Sequence, residues 1–295
     1  MTEGWALRPR DVVEVTGSDA PVWLQGQLSQ DLDPVADGET VWSLVLQPQG
    51  KLDALVRVTR VSAERFLLDL DGGWGDALLQ RLLRFKLRVK AEVAPLASTC
   101  VAVRSEAMTS EELHRRAGEA ASAVPESVRP RVLPASWGGV AGVDLMGEDA
   151  SAPTGLPDLG PGGLEALRIR AGEPVMGAEL DGSVIAQEAG LAGLAVSFTK
   201  GCFTGQELVA RIDTRGHVNR HLRHLRASDP SLEVGMELEA GGKVVGRVTS
   251  AVPDGSGSIG LGYVRREIDE GEAVSGDAGS GAIEVSVGAL AGGPR

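Results

Sequence analysis

At 295 residues the chain is long enough for two or three compact domains with a sizeable core, and 42% hydrophobic with 24% charged residues is ordinary globular composition. Aromatics are only 3%, so the core must be built mostly from Leu, Val and Ala. A net charge of −12 speaks against a general nucleic-acid binder, two cysteines cannot build a disulfide framework, and no apolar run has the length of a signal core or membrane span, so a reduced, cytoplasmic protein without membrane attachment is expected.

Residues 12–16 (Val-Val-Glu-Val-Thr) alternate like a strand. Gly17 to Pro21 reads as a turn into a helix, with Ser18 or Asp19 as cap and Pro21 in the first turn. On that helix Val22, Leu24 and Leu28 are expected to face inward, while Gln25, Gln27 and Gln30 are polar. Strands follow at 42–46, 52–61 and 66–70, the first two joined by a turn at Gln47-Pro-Gln-Gly50. The spacing predicts a helix over 72–85, with Trp74, Leu78, Leu79, Leu82 and Leu83 on one stripe. Alternation returns over 87–93, a strand over 100–103 holds Cys100 as packing, and a helix runs from about 110 to 121. Elements in this order suggest an α+β layer, with helices on one face of an antiparallel sheet.

Residues 122–136, with Pro125, Pro130 and Pro134, read as a linker or a return crossing, and 147–163 as a loop. A short helix spans 164–172, ended by Gly172 and Pro174. The apolar run Leu194 to Phe198 suits a buried strand leading into a tight loop. After Pro230 short strands at 236–239, 243–248, 259–264 and 282–287 alternate with glycine turns, the texture of a small barrel.

Chemistry concentrates in Lys200-Gly-Cys-Phe-Thr-Gly-Gln-Glu207. The thiolate is the nucleophile and metal ligand, and a neighbouring Lys favours it; in an extended segment Lys200 and Cys202 leave on the same face. Gly201 and Gly205 permit close approach to the main chain, and Gln206 and Glu207 can open a helical turn with Leu208 and Val209 inward. Two other patterns carry less. Gly255-Ser-Gly-Ser-Ile-Gly260 satisfies a dinucleotide fingerprint but is followed by β-like Leu-Gly-Tyr-Val, so it reads as a hairpin turn. His217, His221 and His224 would share a helix face but not a strand face, and no thiol or carboxylate cluster accompanies them. Between residues 200 and 226, Lys200, Arg211, Arg215, Arg220, Arg223 and Arg226 stand against Glu207 and Asp213, a local basic run that could meet an anionic ligand or RNA phosphates.

The octet resembles the signature of the YgfZ family, folate-binding proteins related to the glycine-cleavage T-protein (aminomethyltransferase): Lys-Gly-Cys, an aromatic, any residue, then Gly-Gln-Glu. Leu24-Gln-Gly-Gln-Leu-Ser-Gln-Asp31 resembles a second hallmark of that family. The resemblance implies a GcvT-like α+β body of two subdomains with a C-terminal β-barrel. Its folate-binding region would span 1–215, with 1–45 and 130–215 around a subdomain 46–129, and the barrel 216–295. The cofactor implied is tetrahydrofolate or a derivative, with no tightly bound metal. A pterin edge suits one carboxylate and an aromatic wall, and the glutamate tail suits Arg or Lys. By alignment with Trp137-Gly-Gly-Val-Ala-Gly-Val-Asp144 and Glu165-Ala-Leu-Arg168, the resemblance assigns Trp137, Asp144, Glu165 and Arg168 to that site, together with Gln206 and Glu207.

The T-protein's acidic pair after its Gly-Gly turn is reduced here to a lone Asp53 in Gly50-Lys-Leu-Asp-Ala-Leu55, which weakens an aminomethyl-transfer reading. The expectation is therefore a folate-dependent protein supporting iron–sulfur cluster assembly or repair, with Cys202 as nucleophile or transient ligand and Lys200 tuning it. Its implied partners are folate, client iron–sulfur proteins or assembly factors, and tRNA. A one-carbon transferase and an RNA-associated binding module stay open as alternatives, and the residues leave open whether the protein turns over a substrate.

Overall fold

The computed structural model describes residues 2–229, 232–277 and 281–290, so Pro230 and the tail from Ala291 lie outside the described residues. The first half runs β1 (Glu3–Leu7), β2 (Arg10–Thr16), α1 (Ala20–Gln27), β3 (Thr40–Leu46), β4 (Leu52–Ser62), β5 (Arg65–Asp71), α2 (Gly75–Arg84), β6 (Glu92–Leu96), β7 (Thr99–Ser105), α3 (Ser110–Ser122), β8 (Arg131–Pro134) and β9 (Ala141–Gly147). Then come α4 (Gly160–Ala171), α5 (Ala192–Ala195) and α6 (Gln206–Arg215). The chain continues through β10 (Arg220–Ala227), β11 (Glu237–Ala240), β12 (Lys243–Asp254), β13 (Gly257–Arg265), β14 (Ala273–Asp277) and β15 (Ala282–Gly288). The order β3-β4-β5-β2-β6 makes one antiparallel sheet, β1-β7-β9-β8 a second, and β10-β13-β12-β11-β14-β15 a closed barrel.

The period of two decides how the sheets are covered. Val13, Val15, Val56, Val58, Leu68 and Leu70 share one face of the five-stranded sheet, under Trp23 and Leu24 of α1 and Leu78 and Leu82 of α2. The alternate positions, Val12 and Leu67, meet Cys100, Leu133 and Met146 of the four-stranded sheet. That second sheet turns Val101, Val103, Val143 and Leu145 outward under Leu113, Ala117 and Ala121 of α3. The body is thus an α+β sandwich of two sheets with helices outside. Leu225, Leu238, Val248, Val264 and Val285 fill the barrel. Leu222, Ile259, Leu261 and Tyr263 leave it for a core shared with Leu44, Leu46, Leu167, Phe203 and Val209.

Several local expectations give way to tertiary partners. Ala20, Trp23 and Leu24 set the buried stripe of α1, which leaves Val22 81% exposed rather than inward. Leu83 likewise falls off the α2 stripe and is exposed. No strand forms over 87–91: Leu87 is exposed, and Lys90 exchanges its backbone groups with Asp19, its N–H to Oδ2 and its carbonyl to the Asp19 N–H. The run Leu194 to Phe198 is not a strand. The Leu194 and Ala195 carbonyls accept from Gln30 and Ser29, the chain turns through α5, and Phe198 is exposed. The proline-rich 122–136 segment contains β8, an edge strand whose last residue is Pro134, a place where no ladder donor is missed. Helix α4 begins at Gly160, with Pro161 in its first turn, and ends on Gly172 at φ 71.

Candidate functional site

The octet forms a short loop between two anchors. At its start the Lys200 ammonium donates to the carbonyls of Gln25, Leu28 and Gln30 at 2.8, 2.9 and 2.7 Å. These belong to the end of α1 and the residues just beyond it, where helical carbonyls lack intrahelical partners and a cation complements the dipole. Lys200 therefore pins the octet to the Gln-Gly-Gln segment, and its N–H bonds go to that backbone. Burial pushes its pKa down to about 8, with Asp31 and Asp33 opposing. At the other end Gly205 sits at φ 83, and a Cβ there would lie 2.6 Å from the Gln47 carbonyl oxygen. Gly50 is matched in the same way, since its Cβ would meet Leu208 Cβ at 2.5 Å. Glycine at both positions lets the 47–50 turn rest on the start of α6.

Between the anchors Phe203 is buried, its ring 5.5 Å from Lys200 Nζ, and Cys202 is a free, exposed thiol. Gln206 and Glu207 open α6, Val209 is buried and Leu208 half-buried. Cys100 is the opposite kind of cysteine: burial, with Asp144 nearby, pushes its thiol up to about 12.

A cavity of about 290 Å³ lies between the β1–β2 connection, the end of β5, Trp137 and α4. Its apolar wall includes Leu7, Trp137, Val140, Leu164, Leu167 and Met176. Three arginines (Arg8, Arg104, Arg168) and three carboxylates (Asp71, Glu165, Glu173) also line it. Trp137, Glu165 and Arg168 thus meet on one cavity. Arg168 donates from Nε and Nη2 to Glu165, from Nη2 to Ser250 Oγ, and from Nη1 to Glu179 and the Glu173 carbonyl, so its donors are engaged within the protein and tie α4 to the barrel.

Asp144 is one side chain behind the wall. Its Oδ1 pairs with Arg104 at 2.8 Å and its Oδ2 with Arg57 at 2.9 Å. Burial alone would raise its pKa, but Arg104 and Arg57 hold it well below the usual carboxylate range. The chain of ions continues from Arg57 to Asp69, Arg10, Asp71, Arg8 and Glu173, all in contact within 3.1 Å. Sequence reading missed this network. Its signal was there in Phe66-Leu-Leu-Asp-Leu-Asp71, a strand apolar on both faces, whose carboxylates must then enter a covered layer.

Cys202, Lys200, Gln206 and Glu207 do not line this cavity. A second, larger cavity of about 660 Å³ is lined by Gln47, Pro48 and Gln49 of the turn that carries Gly205, and by Asp53, Trp74, Arg81 and Phe85. There Asp53 is paired with Arg81 at 2.9 Å. The histidines fall as a strand dictates, His221 and His224 three apart on β10, and among the described residues no cluster of three or more His, Cys, Asp or Glu is placed to hold a metal ion. The Gly255–Gly260 stretch is the β12–β13 hairpin, with Gly255 at φ 65. No helix among the described residues is long and apolar enough to cross a membrane.

Two packed sheets with outer helices and a closed C-terminal barrel define an aminomethyltransferase-like fold. The structure superimposes on the crystal structure of the glycine cleavage system aminomethyltransferase T from Bartonella henselae with a TM-score of 0.81 over 99% of this chain and 88% of that one, at 18% identity. In sequence it is 31% identical over 292 residues to the human mitochondrial iron–sulfur cluster assembly factor IBA57, covering 87% of this chain and 76% of that protein. It is 25% identical over 269 residues to the tRNA-modifying protein YgfZ of Cronobacter sakazakii, covering 85% and 79%. No family model matches the chain. The chain belongs to the family of YgfZ and IBA57.

Proposed function

We propose that this YgfZ-like protein binds tetrahydrofolate or a derivative and supports iron–sulfur cluster assembly or repair through the thiolate of Cys202, with the cluster as cargo. The observation that carries the reading is the octet's architecture: an exposed thiol on a loop fixed at both ends, by Lys200 on α1 and by Gly205 on the 47–50 turn. A loop fixed in this way presents one reactive side chain while its own backbone is held. Lys200 acts as the anchor of that loop.

The 290 Å³ cavity is the candidate seat for the folate ring. That volume is just below the roughly 300–1,000 Å³ typical of ligand pockets, so it suits a bicyclic ring and leaves the remainder of the molecule outside. Trp137 supplies an aromatic wall, and the buried Arg104 offers a donor with no acceptor in the protein. Bound there, the folate would supply one-carbon or redox chemistry. The chain's own residues enclose the ring and exclude water from it, while Asp144 holds Arg104 in place.

Two alternatives meet opposing contacts. Asp53, the lone acid after the 47–50 turn, is paired with Arg81, which weakens an aminomethyl-transfer reading. The basic run is neutralised along β10, where Arg220, Arg223 and Arg226 pair with Glu188, Glu270 and Asp254, which weakens an RNA-docking reading. The tRNA association carried over from YgfZ is then an effect on tRNA modification through iron–sulfur clients. Cys202→Ser, assayed in cells lacking the wild-type gene, is expected to lower the activity of iron–sulfur enzymes severalfold at unchanged protein level. Unchanged enzyme activity would contradict the proposal.

A further inference from the structure

Arg104 is buried, yet its two terminal nitrogens have different fates. Nη1 donates to Asp144 Oδ1 and to the carbonyls of Val103 and Val143. Nη2 has no hydrogen-bond partner. The other two such atoms among the described residues, Arg60 Nε and Gln187 Oε1, belong to side chains that do not line the 290 Å³ cavity, whereas Arg104 does. A buried donor left without an acceptor is costly, and a native structure keeps one where something else completes it.

Charge decides what kind of acceptor that is. Arg8, Arg10, Arg57 and Arg104 are matched by Asp69, Asp71, Asp144 and Glu173, four cations against four anions. The lining by itself is also balanced, three against three. A carboxylate entering here would be a buried charge with no free counterion, which a low-dielectric site rejects. A neutral carbonyl oxygen fills the orphan donor's need without upsetting the balance.

We propose that Arg104 Nη2 is the recognition donor of this cavity and that it takes the lactam carbonyl of a planar bicyclic ring, so that the ring enters carbonyl-first and the acidic tail stays outside. This rests on the reading of the cavity as the folate site and deepens it: the group read is position 4 of the pterin, an oxo acceptor. The same ring edge carries N–H donors beside that carbonyl, and Glu173 and Asp71 line the wall as acceptors. A ring with an amino group at position 4 would set donor against donor and leave Nη2 buried and unsatisfied. Sites built on one hydrogen bond reject such analogues strongly.

The test is calorimetric titration of the full-length protein with folic acid and with its 4-amino-4-deoxy analogue, alongside anaerobic tetrahydrofolate. The 4-oxo ring is expected to bind at least tenfold more tightly than the 4-amino ring. In Arg104→Lys, which keeps a cation beside Asp144 but removes the second arm, that preference should fall to threefold or less. Should the lysine variant fail to fold, the wild-type comparison of the two rings decides alone. Equal binding of both rings, or tighter binding of the 4-amino ring, overturns the inference while leaving the folate reading intact. Binding of none of the three overturns both.

Discussion

Asp144 is held by two buried arginines, and that fixes what its loss would do. Removing one partner of a buried pair leaves uncompensated charge, at a cost of about 3–5 kcal/mol. Asp144→Asn should therefore lower stability by that order in a denaturant titration, far more than the change of one atom suggests; a loss under 1 kcal/mol would contradict the network's role. The pH dependence follows from direction. The folded-state pKa values of Asp144 and Asp71 lie below their ordinary 3.8, so the stability they contribute is complete above that value and is lost as pH falls through their folded pKa values. Lys200 has a linkage of the same sign in a more alkaline window. Its folded pKa of about 8 is below the ordinary 10.5, so between these values the unfolded chain binds more protons and stability rises with pH. Relative to Lys200→Met, which cannot titrate there, the wild type should become more stable from pH 8 to 10.5. A constant or shrinking difference would contradict this placement of the ammonium.

Among the elements, those with a period of their own were legible in the sequence and those decided by distant partners were not. Strands β2 to β5, α2 and α3 are recognisable because Val, Leu and Ala recur at two or at three to four residues, whereas β6 lies beyond most of the alternating stretch 87–93. The octet was legible as a motif, but the role of Lys200 was not, because the carbonyls it meets are 170 to 175 residues away. The run Leu194 to Phe198 looked like a strand for the same reason: local pattern cannot show that Ser29 and Gln30 claim its carbonyls. Arg104 falls just past the strand expected over 100–103, although β7 runs on to Ser105, and its partner Asp144 depends on how β7 pairs with β9. The junction of the 47–50 turn with α6 carries its own prediction. Gly205→Ala places a Cβ against the Gln47 carbonyl at a left-handed φ, a conformation that costs roughly 1–2 kcal/mol before the clash. It should lower the melting temperature and make the Cys202 loop more susceptible to proteolysis; an unchanged melting curve would show that the turn and the helix are not locked together.

Over the whole molecule, one apolar core joins the five-stranded sheet, α4, the octet and the outer face of the barrel, so the thiol loop and the 290 Å³ cavity are parts of a single packed body. The thiol and the proposed ring site are nonetheless separate: Cys202 does not line the cavity, and the 47–50 turn carries the octet while lining a different one. Folate recognition and thiol chemistry are therefore expected to come apart on mutation. Cys202→Ser should lower the activity of iron–sulfur enzymes severalfold yet leave ring binding unchanged. The most direct test of the account is anaerobic calorimetric titration of the purified protein with tetrahydrofolate. Saturable binding close to one site per chain, undiminished in Cys202→Ser, is the predicted result. Absence of binding at millimolar ligand would contradict the central claim and leave a fold that has kept its cavity without its cofactor.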